Sequence, residues 1–245
     1  MKRILVTGAG GPAGVNFISS LRRSGEDFFI VGTDINRYHL ELPDVDKAYL
    51  APPNSEEHYL DFLRGIIKEE SIQLVHPQPD SEVRFISEHR DDIAASTCLP
   101  ARECVNICQD KLRTARVLAE HGLTMPETVE IQSEDDFQAA GDHLGYPYWL
   151  RAASGAGARG ATPVARLEVA RAWYAYWRAR GKAWRFIAQE LLPGRNYAFQ
   201  SVWSDGKLVC SQARERLEYI LSLIHISEPT RPLYSSYAVF CLNKK

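Results

Sequence analysis

The sequence predicts an α/β protein built as two units. A parallel sheet with crossover helices occupies residues 1–108, and an α+β unit follows over residues 109–220. Three observations predict this. Short apolar runs alternate with amphipathic stretches from the first residues onward. A glycine-rich turn, Gly8 to Gly14, follows the first run and opens the first amphipathic stretch. Beyond Gln109 the apolar runs pair across turns, as antiparallel strands do.

The elements follow in order. Ile4 to Thr7 is the first strand, and a helix from about Ala13 to Ser24 places Val15, Ile18 and Leu21 on one face. Phe28 to Thr33 is a strand ending at Asp34. Tyr59 to Glu70 is helical, Ile72 to His76 is a third strand, and Glu82 to His89 begins another helix. Asp80 and Glu82, after Pro77-Gln78-Pro79, read as a solvated loop, with a contact to substrate as the alternative. Thr97 to Leu99 and Glu103 to Cys108 finish the first unit.

In the second unit Asp110 caps a helix that runs to about His121, where Gly122 ends it. Thr128 to Gln132 is a strand, and Ser133 to Asp136 cap a helix through Leu144. Tyr146 to Leu150 and Gly160 to Val164 form an antiparallel pair. Leu167 to Arg180 is helical, with Trp149, Trp173, Trp177 and Trp184 as packing aromatics. Phe186 to Glu190, Tyr197 to Trp203 and Lys207 to Arg214 are strands, the last two joined by Ser204-Asp205-Gly206.

Composition excludes several functions. Across 245 residues, 29 Lys+Arg face 31 Asp+Glu for a formal charge of -2, without a basic stripe to draw nucleic acid. No apolar run approaches the ~18–20 residues of a membrane span, and the N-terminus reads as a buried strand rather than a secretory signal. The five cysteines, at 98, 104, 108, 210 and 241, lack C-x-x-C spacing and histidine partners. A cytoplasmic chain is expected, with homo-oligomerisation left open.

Residues 221–245 are expected to be foreign. Leu221 to Arg231 back-translates to a transposase-type sequencing adapter, and Ser236 to Leu242 to the flow-cell end of the same piece. On that reading the natural protein is longer than this chain. Phe199, Val202 and Val209 would then lack a partner layer, and poor solubility is expected.

The richest chemistry lies between Gly145 and Gly160. A strand delivers Arg151 into a loop of small residues, Ser154 to Gly160, that carries Arg159. Glycine and alanine leave backbone N–H groups uncovered, so such a loop can wrap phosphate oxygens between forked guanidinium donors. Gly155 to Gly160 has the G-x-x-x-x-G spacing of a P-loop, but Ala161-Thr162 stands where Lys-Ser/Thr is required.

The Gly8–Gly14 turn, with Asp34 ending the next strand, resembles the nucleotide loop of NAD(P)-binding short-chain dehydrogenases and epimerases. No tyrosine has lysine four positions later, as their catalytic pair requires. A tight turn without cofactor, or an anionic substrate at the helix N-terminus, are the other readings of this loop.

Residues 1–220 as a whole resemble the ATP-grasp superfamily, particularly the carbamoyl-phosphate-synthase-like carboxylate–amine ligases. The matching segments are Gln109-Asp110-Lys111 with the helix ending at Gly122, Gly145 to Arg151, and Ile187 to Gly194. The resemblance implies a Rossmann-like pre-ATP-grasp domain followed by a truncated ATP-grasp domain. It also implies that Lys111, Arg151, Ser154, Gly155, Gly157, Arg159 and Gly160 hold the ATP phosphates. Gln189, Glu190 and Leu192 would meet adenine, through the backbones of Glu190 and Leu192. Asn196 stands where many relatives place a ribose-binding glutamate.

The implied reaction joins a small-molecule carboxylate to an amine or thiol through an acyl phosphate, with Arg214 and Arg216 as candidate catalytic cations. Mg2+ is implied as well, with ligands expected beyond Ile220, so the chain itself is expected to be inactive. A non-catalytic nucleotide-binding module is the remaining alternative.

Overall fold

The computed structural model describes residues 1–155, 157–158 and 160–216, the last by its backbone. The expected tail, 221–245, and Arg159 lie outside the described residues, as does the Arg216 side chain. The chain divides into two compact units, residues 1–109 and residues from Asp110 onward.

The first unit is a five-stranded parallel sheet. Its strands are β1 (Lys2–Thr7), β2 (Phe28–Asp34), β3 (Lys47–Leu50), β4 (Leu74–Pro77) and β5 (Ser96–Thr97), in the order β3-β2-β1-β4-β5. Its helices are α1 (Pro12–Arg23), α2 (Tyr59–Glu69), α3 (Asp80–Glu88) and α4 (Arg102–Cys108). Strand alternation covers both faces. Ile4 and Val6 of β1 join Ile18 of α1 and Ile30 in one core. Leu5 joins Val31, Leu63, Ile67 and Ile86 in the other. Burying each such side chain contributes about 1.5–3 kcal/mol, so β1 is held from both faces.

Strand β3 was not expected from sequence. It pairs parallel with β2, from Val31↔Lys47 to Asp34↔Leu50. Glu82 lies in a helix, as expected, but α3 already starts at Asp80 and Glu82 is buried, where a solvated position was expected.

The second unit has two sheets. Strands β6 (Thr128–Ile131), β7 (Tyr148–Ala152), β8 (Thr162–Val164) and β9 (Phe186–Glu190) form an antiparallel sheet in the order β6-β9-β7-β8. Helices α6 (Asp136–Leu144) and α7 (Leu167–Ala179) supply Phe137, Ala140 and Ala170 to a core with Tyr148, Leu150, Phe186 and Ala188. On the opposite face Leu112 of α5 (Lys111–Glu120) packs with Ala153 and Ile187. Strands β10 (Asn196–Ser204) and β11 (Lys207–Arg216) pair only with each other among the described residues, and Phe199, Val202 and Val209 are exposed.

Local chemistry sets the helix ends. Gly122, at φ +78°, closes α5 with its N–H on the Ala119 carbonyl. At α6 the N-cap residue Asp135 makes no side-chain cap bond; the first helical residue, Asp136, instead accepts from the N–H groups of Gln132 and Ser133, both at 2.7 Å, and so fixes the entering turn.

Candidate nucleotide site

Strand period decides which face carries the chemistry. In β7, Tyr148 and Leu150 point into the α6/α7 core, so Arg151, one residue on, points to the opposite face. Ile187 is its direct cross-strand partner on β9 and packs with Leu112 of α5. Arg151 and the first turn of α5 therefore share one side of the sheet.

Three segments are tied together there. The Lys111 N–H donates to the Ala153 carbonyl at 2.8 Å, and the Ala153 N–H donates to the Arg185 carbonyl at 2.8 Å. The guanidinium of Arg185 closes the ring by binding the Asp110 carboxylate, and reaches Glu130 Oε1 at 2.9 Å. Asp110 Oδ1 also accepts from the N–H groups of Leu112 and Arg113, at 3.0 and 3.1 Å, as an N-cap. Asp110 and Ser154 form an isolated antiparallel bridge. The result is a rigid frame that places Lys111 beside the small-residue loop, where its Nζ donates to the Gly155 carbonyl at 2.8 Å.

Charge at the frame follows from burial and pairing. Burial pushes the Asp110 carboxyl upward, but the N–H of Arg113 and the Arg185 guanidinium outweigh it and hold the pKa below the ordinary value. Arg185 is raised in turn by the Asp110 charge. Arg151 is lowered by burial, and its buried Nε has no hydrogen-bond partner among the described residues. A half-buried guanidinium with an unsatisfied donor is chemically ready for an anion.

The loop has the backbone its glycines permit. Gly155, Gly157 and Gly160 sit at φ +97°, +71° and +75°, where side chains are strained. Ser154, Gly155 and Gly157 are exposed, while Gly160 is buried.

The segment expected to meet adenine, Gln189 to Leu192, is divided. Gln189 is buried, and its side-chain amide donates to Thr128 Oγ1 at 2.7 Å, so that amide is engaged within the sheet. The Glu190 N–H donates to the Glu127 carbonyl at 2.9 Å. Leu192 is 58% exposed, and its N–H has no partner among the described residues. Asn196 and Arg214 stand on the exposed β10–β11 hairpin, where Asn196 pairs with Arg216 and Ala198 with Arg214. Arg185 was missed from sequence. Its one signal is a cation immediately before an apolar strand, which many solvated arginines share.

In the first unit, Asp34 is occupied by the turns that follow β1 and β2. It accepts from the Gly10 N–H at 3.2 Å and the Asn36 N–H at 2.9 Å, with His39 Nδ1 at 3.5 Å. A Cβ on Gly10 would lie 2.2 Å from the His39 carbonyl oxygen, so backbone already covers this loop. Among the described residues no helix is long and apolar enough to cross a membrane, and no three His, Cys, Asp or Glu side chains cluster to hold a metal.

Solved structures of ATP-grasp ligases share the described portion of this fold at low sequence identity. Within it, residues 4–100 match the family model described as PylC-like, N-terminal domain. The L-amino acid ligase from Bacillus licheniformis superposes with a TM-score of 0.66 at 15% identity, covering 85% of this chain and 48% of that one. The carboxyaminoimidazole ribonucleotide synthase of Aspergillus clavatus, complexed with ATP, gives 0.66 at 17%, covering 89% and 55%. The biotin carboxylase domain of Hydrogenobacter thermophilus 2-oxoglutarate carboxylase, with MgADP and bicarbonate, gives 0.61 at 16%, covering 81% and 46%. The chain spans about half the length of these solved structures. A sequence search of curated proteins returned no match.

Proposed function

We propose that this chain is the nucleotide-facing portion of an ATP-dependent carboxylate–amine ligase. The observation that carries the reading is the placement of Lys111, Arg151 and the glycine loop on one side of the β7–β9 sheet, with an Arg151 Nε that has no partner among the described residues. Phosphoryl transfer depends mostly on positioning and charge neutralisation, which these groups supply.

In this reading Lys111, Arg151 and Arg159 neutralise the triphosphate, and the backbone of Ser154, Gly155, Gly157 and Gly160 follows its oxygens. The Leu192 N–H and the Glu190 carbonyl pair with adenine, Gln189 braces that strand through Thr128, and Asn196 meets the ribose. A carboxylate oxygen attacks the γ-phosphorus and ADP leaves. An amine or thiol then attacks the acyl phosphate carbon and phosphate departs. Arg214 and Arg216 serve the acyl phosphate as cations. Magnesium, when bound, offsets charge on the phosphate oxygens. The described residues offer no cluster for it, and its ligands are proposed to lie beyond Ile220.

The nicotinamide alternative fits less well, because Asp34 and the Gly10 face are already engaged within the first unit. Titration of the chain with a fluorescent ATP analogue and with NADH separates the two. Saturable ATP-analogue binding, displaced by ATP and without an NADH response, supports the ligase reading. An NADH response that Asp34→Ala abolishes, with no ATP-analogue binding, would overturn it.

A further inference from the structure

The aromatic residues of α7 converge on one end of the glycine loop. Trp173 Nε1 donates to the Gly160 carbonyl at 2.9 Å. Trp177 lies one helical turn on, edge to face with Trp173 at 5.7 Å, and Trp184 lies tilted against it at 4.7 Å. Trp184 in turn lies against the Gly160 backbone. A Cβ there would sit 3.0 Å from its ring and 3.4 Å from Phe186. Phe186 is the cross-strand partner of Ala152, the residue after Arg151. One aromatic column thus touches the last residue of the loop and the strand that delivers its cation.

The arrangement exceeds what core filling needs. An indole has an apolar body and one polar tip, and here the tip of Trp173 is spent on a loop carbonyl instead of solvent. Gly160 sits at φ +75° in a loop of glycines, which lose more freedom on ordering than any other residue. Fixing one end of such a loop before a ligand arrives lowers the ordering cost of binding.

We propose that Trp173 and Trp184 are positioning residues that hold the trailing end of the glycine loop in register with Arg151 for a polyphosphate ligand. The role rests on the ATP reading above. Trp173 sets the Gly160 carbonyl, and Trp184 sets how closely the loop backbone approaches the sheet.

The test is Trp173→Phe, which keeps a ring and deletes the N–H. The variant and the unaltered chain are titrated with ATP and, separately, with adenosine. Amide exchange is followed across residues 157–164. The expected result is an ATP affinity lower by about fivefold, the usual worth of one hydrogen bond. Adenosine affinity is expected to hold, and exchange near Gly160 and Ala161 to quicken. A merely structural role would shift ATP and adenosine together. Gly160→Ala, which forces a Cβ onto Trp184, is expected to give the same split between the two ligands. If the unaltered chain binds ATP and both variants keep its ATP-to-adenosine ratio, the positioning role is overturned and the ATP reading stands. If the unaltered chain binds neither ligand, the ATP reading falls and takes the positioning role with it.

Discussion

Lys111 donates from its ammonium to the carbonyl oxygen of Gly155 at 2.8 Å, across 44 residues of sequence. The first turn of α5 therefore holds the glycine loop by a charge-assisted bond, and the same ammonium is proposed to serve an incoming phosphate. Lys111→Ala is expected to weaken ATP binding by about tenfold or more, since hydrogen bonds to charged groups are worth about 1.5–3 kcal/mol. Adenosine affinity should stay the same. Calorimetric titration of both ligands reads the difference, and equal losses would count against the assignment.

Arg151 carries the opposite balance between binding and stability. Its guanidinium is half-buried, burial lowers its pKa, and its Nε has no partner among the described residues. Arg151→Met keeps the stem, removes the costly charge, and is expected to leave the melting temperature unchanged or raised. The same variant should bind ATP about tenfold more weakly or worse. A large fall in melting temperature would show that the cation is structural.

Asp110 links helix start, frame and pH. Its folded-state pKa is depressed: burial pushes it up, but the Arg113 N–H and the Arg185 guanidinium prevail. Its stabilisation is thus present above the unfolded value of about 3.9 and is lost as pH falls through the lower folded value. Asp110→Ala should cost about 1–2 kcal/mol at neutral pH. Asp110→Asn, which keeps the cap acceptor, should cost less and flatten the acid limb. Urea unfolding between pH 3 and pH 7, values on the order of the unperturbed carboxyl range and above it, checks both.

Glu82 has the reverse sign. Burial raises its pKa, Thr7 and Tyr59 partly oppose this, and the Asp34 charge adds to it. The native state therefore holds the proton longer than the unfolded chain. Stability from this group is full below the unfolded value of about 4.3 and is lost as pH rises through the higher folded value. Glu82→Gln should match the unaltered chain in acid and become the more stable of the two toward neutrality. Paired thermal melts across that window measure it, and a constant offset would rule out titration of this carboxyl.

Much of the fold could be read because β1, α1 and β2 state their period plainly. Ile4 and Val6 alternate with Leu5, and Gly8 to Gly14 mark the turn. Strand β3 could not be read so easily. It is four residues long, mostly exposed, and followed closely by Pro52 and Pro53. Glu82 was misread because Asp80-Ser81-Glu82 looks solvated. One helical turn on lies fully buried Ile86, and that i, i+4 spacing places both on the inner face. At the candidate site, the Lys111 and Arg151 segments and the glycine loop were legible as local patterns. The tie from Arg185 to Asp110 was not, since it joins residues 75 positions apart whose meeting depends on the folded sheet.

The β10–β11 hairpin has a kinetic consequence. Its pairing runs from Ser204↔Lys207 at the turn to Asn196↔Arg216 at the base, so every contact closes a short loop. Such a ribbon forms in about 1–10 μs, far sooner than the parallel pairings of the first unit can assemble. With Phe199 66% exposed and Trp203 59% exposed, little apolar burial holds it once formed. The chain should therefore exchange its amides on two clocks: the hairpin opens and closes by itself, while β1, β7 and β9 exchange only when their cores come apart.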